Sequence, residues 1–212
     1  MSSNIMTRTA SAAALGAALL IGTGLSAPPA EAGYVLKLTE QGDNVVATGS
    51  GAIDLTGLNP LLLDSSAITV MLPRLAVISN GEPSSATVYG AGVGITGPTS
   101  FGPGGFTEAS EATGDKVGIE GNPQSNSFNV PILIVPRGYM SDAPLAGSST
   151  YHNETFSSLG VTPDTYAWRW GSAANQNFTL DIVAPAAVPE PMSLSLFGLG
   201  LAGLALARRR RS

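Results

Sequence analysis

The sequence predicts an all-β fold: a single β-sandwich or jelly-roll-like domain flanked by an N-terminal signal helix and a C-terminal transmembrane helix. Three observations carry this reading. Between the two ends, apolar residues fall in short β-branched or aromatic runs rather than at helical spacing. Those runs are separated by strong turn formers, among them Asn80-Gly81, Gly97-Pro98, Gly102-Pro103-Gly104-Gly105 and Gly121-Asn122-Pro123. The chain also has no cysteine in 212 residues, so its core must be built without disulfide staples. A body of about 155 residues suffices for that, burying roughly 70% of its unfolded surface.

Read in order, the runs predict strands near 34–39, 44–48, 51–55, 67–71, 75–78, 87–95, 116–119, 130–135, 150–157, 164–170 and 177–183. Many short strands with regular turn signals suit a sandwich. The last two show the clearest alternation. Tyr166, Trp168 and Trp170 share one face, as do Phe178, Leu180 and Ile182. In a hairpin these faces match only when paired residue numbers sum to an even value. A sum of 348 pairs Trp170 with Phe178, Trp168 with Leu180 and Tyr166 with Ile182, and sets Arg169 diagonally across from Asp181.

Charged residues make up 12% of the chain and hydrophobic ones 43%, which excludes a disordered acidic segment. The absence of cysteine rules out a thiol nucleophile or thiolate-bound metal, and the single histidine, His152, leaves little for a His-based zinc site.

The ends are of another kind. Arg8 precedes an apolar run from Ala12 to Leu25, then Pro28-Pro29 and Ala30-Glu31-Ala32. A basic start, a short apolar stretch and an A-x-A site predict a secretory signal peptide over 1–32, cut before Gly33. At the other end Pro189-Glu190-Pro191 is followed by an apolar run from Met192 to Ala207 and then by Arg208, Arg209, Arg210 and Arg211. Sixteen residues make a helix of about 24 Å, slightly short of a hydrocarbon core of about 30 Å. The arginine cluster would hold that end in the cytoplasm. The extracellular domain is then 33–187. Without its end segments it keeps five bases against thirteen acids, a net charge of −8 where the whole chain has −5. Such a body repels phosphate backbones, so nucleic acid is not an expected partner.

A Pro-Glu-Pro triplet, a short apolar helix and a terminal arginine cluster, in that order, resemble the PEP-CTERM sorting signal of Gram-negative bacteria, a tail also catalogued as the C-terminal motif of some ice-binding proteins. The resemblance covers about 25 residues and implies export through the Sec translocon. It further implies transient anchoring in the inner membrane, then cutting near the motif by an exosortase and release to the cell surface or exopolysaccharide matrix. The stretch 166–171 is also similar to the aromatic–Trp-Gly segment that often precedes such tails.

Four patterns in the body invite chemistry. Gly92-Val93-Gly94-Ile95-Thr96-Gly97 spells G-x-G-x-x-G, but Pro98 and the glycines after it forbid the helix that a dinucleotide site needs. Close strand packing or a bulge is the expected use of those glycines. His152 has Ser148, Ser149, Asp142 and Glu154 nearby in sequence, without a G-x-S-x-G elbow, and is expected to be an exposed strand residue. Glu108, Glu111, Asp115 and Glu120 lie in a glycine-rich stretch and are expected to be solvated loop charges. Calcium ligation, or a carboxylate pair made of Glu108 or Glu120 with Asp115, is the sharper alternative. Tyr166, Trp168 and Trp170 are expected in the core, leaving Tyr139 and Tyr151 as candidates for an exposed contact. Asn153-Glu154-Thr155 and Asn177-Phe178-Thr179 fit the glycosylation pattern, as chance matches.

The sequence thus predicts a non-enzymatic exported protein, structural or adhesive in exopolysaccharide, with no catalytic residues, metal or cofactor. The alternatives are a carbohydrate- or ice-binding module and, further off, a jelly-roll hydrolase. No regularly spaced threonine array of the kind an ice binder uses is present.

Overall fold

The computed structural model describes residues 33–90 and 94–184. Among the described residues thirteen strands are distributed over two sheets, and the chain crosses between them repeatedly. They are β1 (Tyr34–Gln41), β2 (Asn44–Ala52), β3 (Asn59–Ala67), β4 (Val70–Leu72), β5 (Val77–Asn80), β6 (Ser84–Gly90), β7 (Thr107–Glu108), β8 (Glu111–Gly114), β9 (Val117–Glu120), β10 (Ile132–Pro136), β11 (Pro144–His152), β12 (Thr165–Arg169) and β13 (Asn177–Ile182). One sheet has the order β12-β13-β1-β2-β11-β8, the other β3-β6-β10-β9-β5-β4-β7. The all-β expectation holds. The six-stranded sheet is mixed, however, because β1 pairs parallel with β13 and antiparallel with β2.

Alternation explains which faces meet. Tyr34, Leu36 and Leu38 of β1 and Val45 and Ala47 of β2 point inward, while Lys37 and Thr48 point out. From the other sheet Met71, Ile78, Ile119, Leu133 and Val135 join them in one core. The largest buried side chain is Trp168, fully enclosed. Its ring meets Phe178 edge-on at 5.9 Å, and its Nε1 donates to the Pro98 carbonyl at 2.8 Å. Two glycines make this slot. A Cβ on Gly97 would stand 2.5 Å from the indole Cδ1, and one on Gly121 only 2.1 Å from Nε1. Gly97, the last glycine of the G-x-G-x-x-G run, therefore serves close packing, as expected from sequence.

Several strand assignments change. β2 is one strand where two are expected, 44–48 and 51–55. The edge strand β3, and β7 and β8 within the acidic glycine-rich stretch, are absent from the sequence reading. The residues expected to extend a strand to 157 instead form α1 (Phe156–Leu159), closed by a reciprocal capping box between Thr155 and Ser158 and by left-handed Gly160. Of the 87–95 run, the residues to Gly90 lie in β6, and Gly94 and Ile95 lie outside any strand. The β12–β13 hairpin has the expected parity with a register two residues away: Trp168 pairs with Phe178 and Tyr166 with Leu180. Gln176 sets it. Its backbone carbonyl accepts from Trp170 N–H at 3.2 Å, and its side chain bonds Ala173 N–H and the Thr56 carbonyl. The loop thus closes around Gln176 and Trp170 leaves the ladder. Arg169 faces Asn177 and Asp181 faces Thr165, so the expected diagonal Arg169–Asp181 attraction is replaced by Thr165 Oγ1 donating to Asp181.

Between the sheets runs a polar seam. Lys116, where the chain crosses from β8 to β9, is fully buried. Its Nζ donates to the Ile68 carbonyl (2.7 Å), Thr69 Oγ1 (2.8 Å) and Ser79 Oγ (3.0 Å), so all three protons are used. Thr69 Oγ1 donates in turn to the Gly81 carbonyl. Gly81 N–H donates to Ser149 Oγ, which donates to Asn80 Oδ1, and Asn80 Nδ2 reaches the Tyr34 hydroxyl. Burial without a counter-charge depresses the Lys116 ammonium to about 7, and burial pushes the Tyr34 hydroxyl up to about 12.

Two outcomes follow. Replacing Trp168 with Ala should cost about 3–5 kcal/mol in urea unfolding, since it empties the largest core position and strips the Pro98 carbonyl of its donor. For Lys116 the folded value lies below the unfolded one. Between about pH 7 and 10 the unfolded chain therefore holds the extra proton, and stability climbs with pH by up to about 1.4 kcal/mol per unit. Below pH 7 both states are protonated and the slope vanishes. Unfolding curves at pH 7, 8 and 9 should show the climb in the native protein and lose it in Lys116→Met.

Candidate functional site

The chain leaves its last strand, β13, one place in from the edge of the six-stranded sheet. β13 lies between β12 and β1, and the next residue, Val183, still donates its N–H to the Leu38 carbonyl at 3.0 Å. Residues 184–188 alone then separate the last ladder bond from Pro189, a reach of at most about 18 Å if fully extended. Beside this exit Asp164, Thr165 and Asp181 rim a shallow open recess. Thr165 donates its N–H to Asp164 and its hydroxyl to Asp181, which leaves a local surface of carboxylates. The expected sorting residues Pro189, Glu190 and Pro191, the cluster Arg208–Arg211, and Ala30 and Ala32 of the signal site lie outside the described residues. So do the two expected terminal helices. Among the described residues no helix is long and apolar enough to cross a membrane.

Gly33 is described, and it sits where the sheet begins. It is buried, has φ +96°, and donates its N–H to Asn175 Oδ1 at 3.0 Å.

The other candidates are dispersed. Glu108 is on β7 at the edge of one sheet and Glu111 on β8 in the other. Asp115 accepts from Ala146 N–H at 2.9 Å. Glu120, half-buried on β9, accepts from Ser125 and Asn126, while burial raises its carboxyl above the usual range. Asp115 and Glu120 thus have separate local partners. Among the described residues no three His, Asp or Glu side chains gather within metal-binding reach. His152 ends β11 as an exposed residue with its Nε2 3.8 Å from Glu111 Oε1 on the adjacent strand. Ser149 is turned inward to Asn80, away from any role as its nucleophile.

The aromatic assignments divide. Trp168 and Trp170 are core, as expected, with Trp170 Nε1 donating to the Asp54 carbonyl at 2.7 Å. Tyr151 is not an exposed contact. It is 1% exposed on the inward face of β11, its hydroxyl lacks a partner, and burial raises that hydroxyl well above its ordinary value. Tyr139 is half-buried, its hydroxyl donating toward the Ile53 and Ala143 carbonyls and accepting from Ile53 N–H. Polar sequence neighbours mislead at Tyr151, because alternation turns every second residue of a strand inward. Asn177, which heads a glycosylation-like triplet, is buried. Lys116 is the polar residue that sequence reading misses. A lone lysine before Val117-Gly118-Ile119 looks like a strand's solvated start.

Comparison with known proteins agrees with the tail. The family model of the PEP-CTERM protein-sorting motif matches residues 187–211. Searches of curated proteins and of solved structures found no match. The match falls on the Pro-Glu-Pro triplet, the apolar run and the arginines through Arg211, so the chain carries a PEP-CTERM sorting tail and is a PEP-CTERM sorting domain-containing protein.

Proposed function

We propose that the body is a non-enzymatic passenger, structural or adhesive in exopolysaccharide, which the tail delivers to the cell surface. The observation that carries the reading is the PEP-CTERM match over 187–211, which indicates an exosortase-sorted extracellular protein. Its finer parts have other support. The acids stand apart on separate strands, and the His152 ring is paired only with Glu111. A short tether from Val183 to Pro189 would hold the folded body close to the membrane while the tail is cut. The N-terminal signal segment would take the chain to the Sec translocon, and the four arginines would keep the far end of the tail inside until processing.

Sorting is tested by intact mass after fractionation. The extracellular form should lack Met192–Ser212, and Glu190→Ala should shift the protein to an uncut, membrane-bound form. An uncut tail in the extracellular fraction would sink the sorting reading. The matrix role is tested by co-sedimentation of the processed body with the exopolysaccharide of the source organism, with and without Ca²⁺. Saturable binding is expected. Its absence would leave the body a passive coat protein, and a calcium requirement would return the Glu108–Glu120 stretch to the centre of the problem.

A further inference from the structure

The start of β1 is bordered by polar side chains, and its first described nitrogen donates to one of them. Gly33 N lies 3.0 Å from Asn175 Oδ1. Asn175 is itself oriented by donating its Nδ2 to Asp142 Oδ1 at 2.7 Å, and its carbonyl accepts from Asp54 N–H at 2.9 Å. On the other side of Gly33, the amide oxygen of Asn177 would stand 2.2 Å from a Cβ placed there, so only glycine fits. Asn177 is held by donating its Nδ2 to the Ala174 carbonyl at 2.7 Å. Asp142 adopts φ +64°, and its N–H is fixed on the Ile53 carbonyl at 2.9 Å. One amide oxygen, with a carboxylate behind it, thus meets the backbone nitrogen of Gly33, and a second amide oxygen stands against its Cα.

We propose that this cradle is a binding site for the chain's own α-ammonium, formed when signal peptidase hydrolyses the Ala32–Gly33 bond. Water adds across that peptide bond. The new carboxyl stays on Ala32, and the new amine on Gly33 takes up a proton at neutral pH. A peptide N–H offers Asn175 a single hydrogen. An ammonium offers three, together with a positive charge that Asp142 attracts through Asn175. Asp54 and Asp142 are the acids of the two loops packed here, and Arg137 is the base further along the second. Processing would in this way add a contact at the end of β1 that the precursor cannot make. The inference rests on the export reading above.

The test uses the full-length gene expressed in an exporting host. The exported protein is sequenced from its N-terminus, and thermal midpoints are compared from pH 6 to 10 for native protein and Asp142→Asn. Asparagine tolerates positive φ and can still accept from Asn175, so the variant removes charge alone. The partnered amine should titrate above the ordinary 7.7–8.0 of an α-amino group. Its contribution is therefore complete below about pH 7.7 and fades as pH rises through the raised folded value. The native protein should start at Gly33 and exceed the variant by about 1–3 °C at pH 6.5, with the gap closing by pH 10. Lys116 is common to both proteins and cancels. A gap that is absent, or constant with pH, overturns the proposal. An exported chain that starts elsewhere overturns it while leaving export intact, and one that keeps Met1 overturns both readings.

Discussion

The parallel pairing of β1 with β13 is the constraint on which the rest of the structure depends. Register runs from Tyr34 opposite Phe178 to Leu38 opposite Ile182, inside the six-stranded sheet. The largest aromatic contacts gather on this pair, with the Tyr34 and Trp168 rings both packing on Phe178. The first described strand therefore acquires its second neighbour only when the last one is available. Such contacts, far apart in sequence, carry the loop-closure cost that slows β-rich folding. For a chain read as exported, that order is consistent with a body that closes only after nearly all of it has crossed. Because the pair is parallel, it also separates the ends. The chain enters the sheet beside Asn177 and leaves it beside Leu38, so Val183 stands at the end opposite Gly33.

A second requirement is that two sheets crossed so often by one chain stay in register with each other. Apolar packing is indifferent to small slides, whereas hydrogen bonds are not. The seam from Lys116 through Thr69, Ser79, Gly81, Ser149 and Asn80 to Tyr34 ties the crossing after β8 to strands of both sheets. A buried ammonium without an acid is costly in water-free surroundings. The three acceptors around Nζ reduce that cost, and the depressed proton affinity of Lys116 records what remains.

How much of this was legible in the sequence depends on how far apart the deciding residues lie. The inward faces of β1, β2, β12 and β13 could be read from alternation, because period two is local. The parity of the last hairpin was legible for the same reason, but its register was not. Parity is blind to a slip of two, and the choice was made by Gln176, whose partners include Thr56. β3, β7 and β8 escaped because serine, proline, glycine and glutamate read as loop when the strand they must pair with is unknown. Tyr151 was misplaced by its polar neighbours, and Lys116 was passed over since nothing local marks a lysine whose acceptors are 37 and 47 residues away.

The sorting tail stands at the other extreme. Its meaning lies in the linear order of Pro189-Glu190-Pro191, an apolar run and four arginines, read by a membrane enzyme from a segment that need not fold against the body. Twenty-five residues are then enough to establish where the protein goes. The body works by the opposite rule, since what it presents outside depends on loops joined only in three dimensions. The interlock of Ile53, Tyr139, Asp142 and Asn175 beside Gly33 is built from three such loops, at the end of the sheet away from Val183. An address can be carried by composition and order, whereas a ligand must be recognised by a surface. The same chain therefore declares its destination in its sequence and keeps its contacts there in its fold.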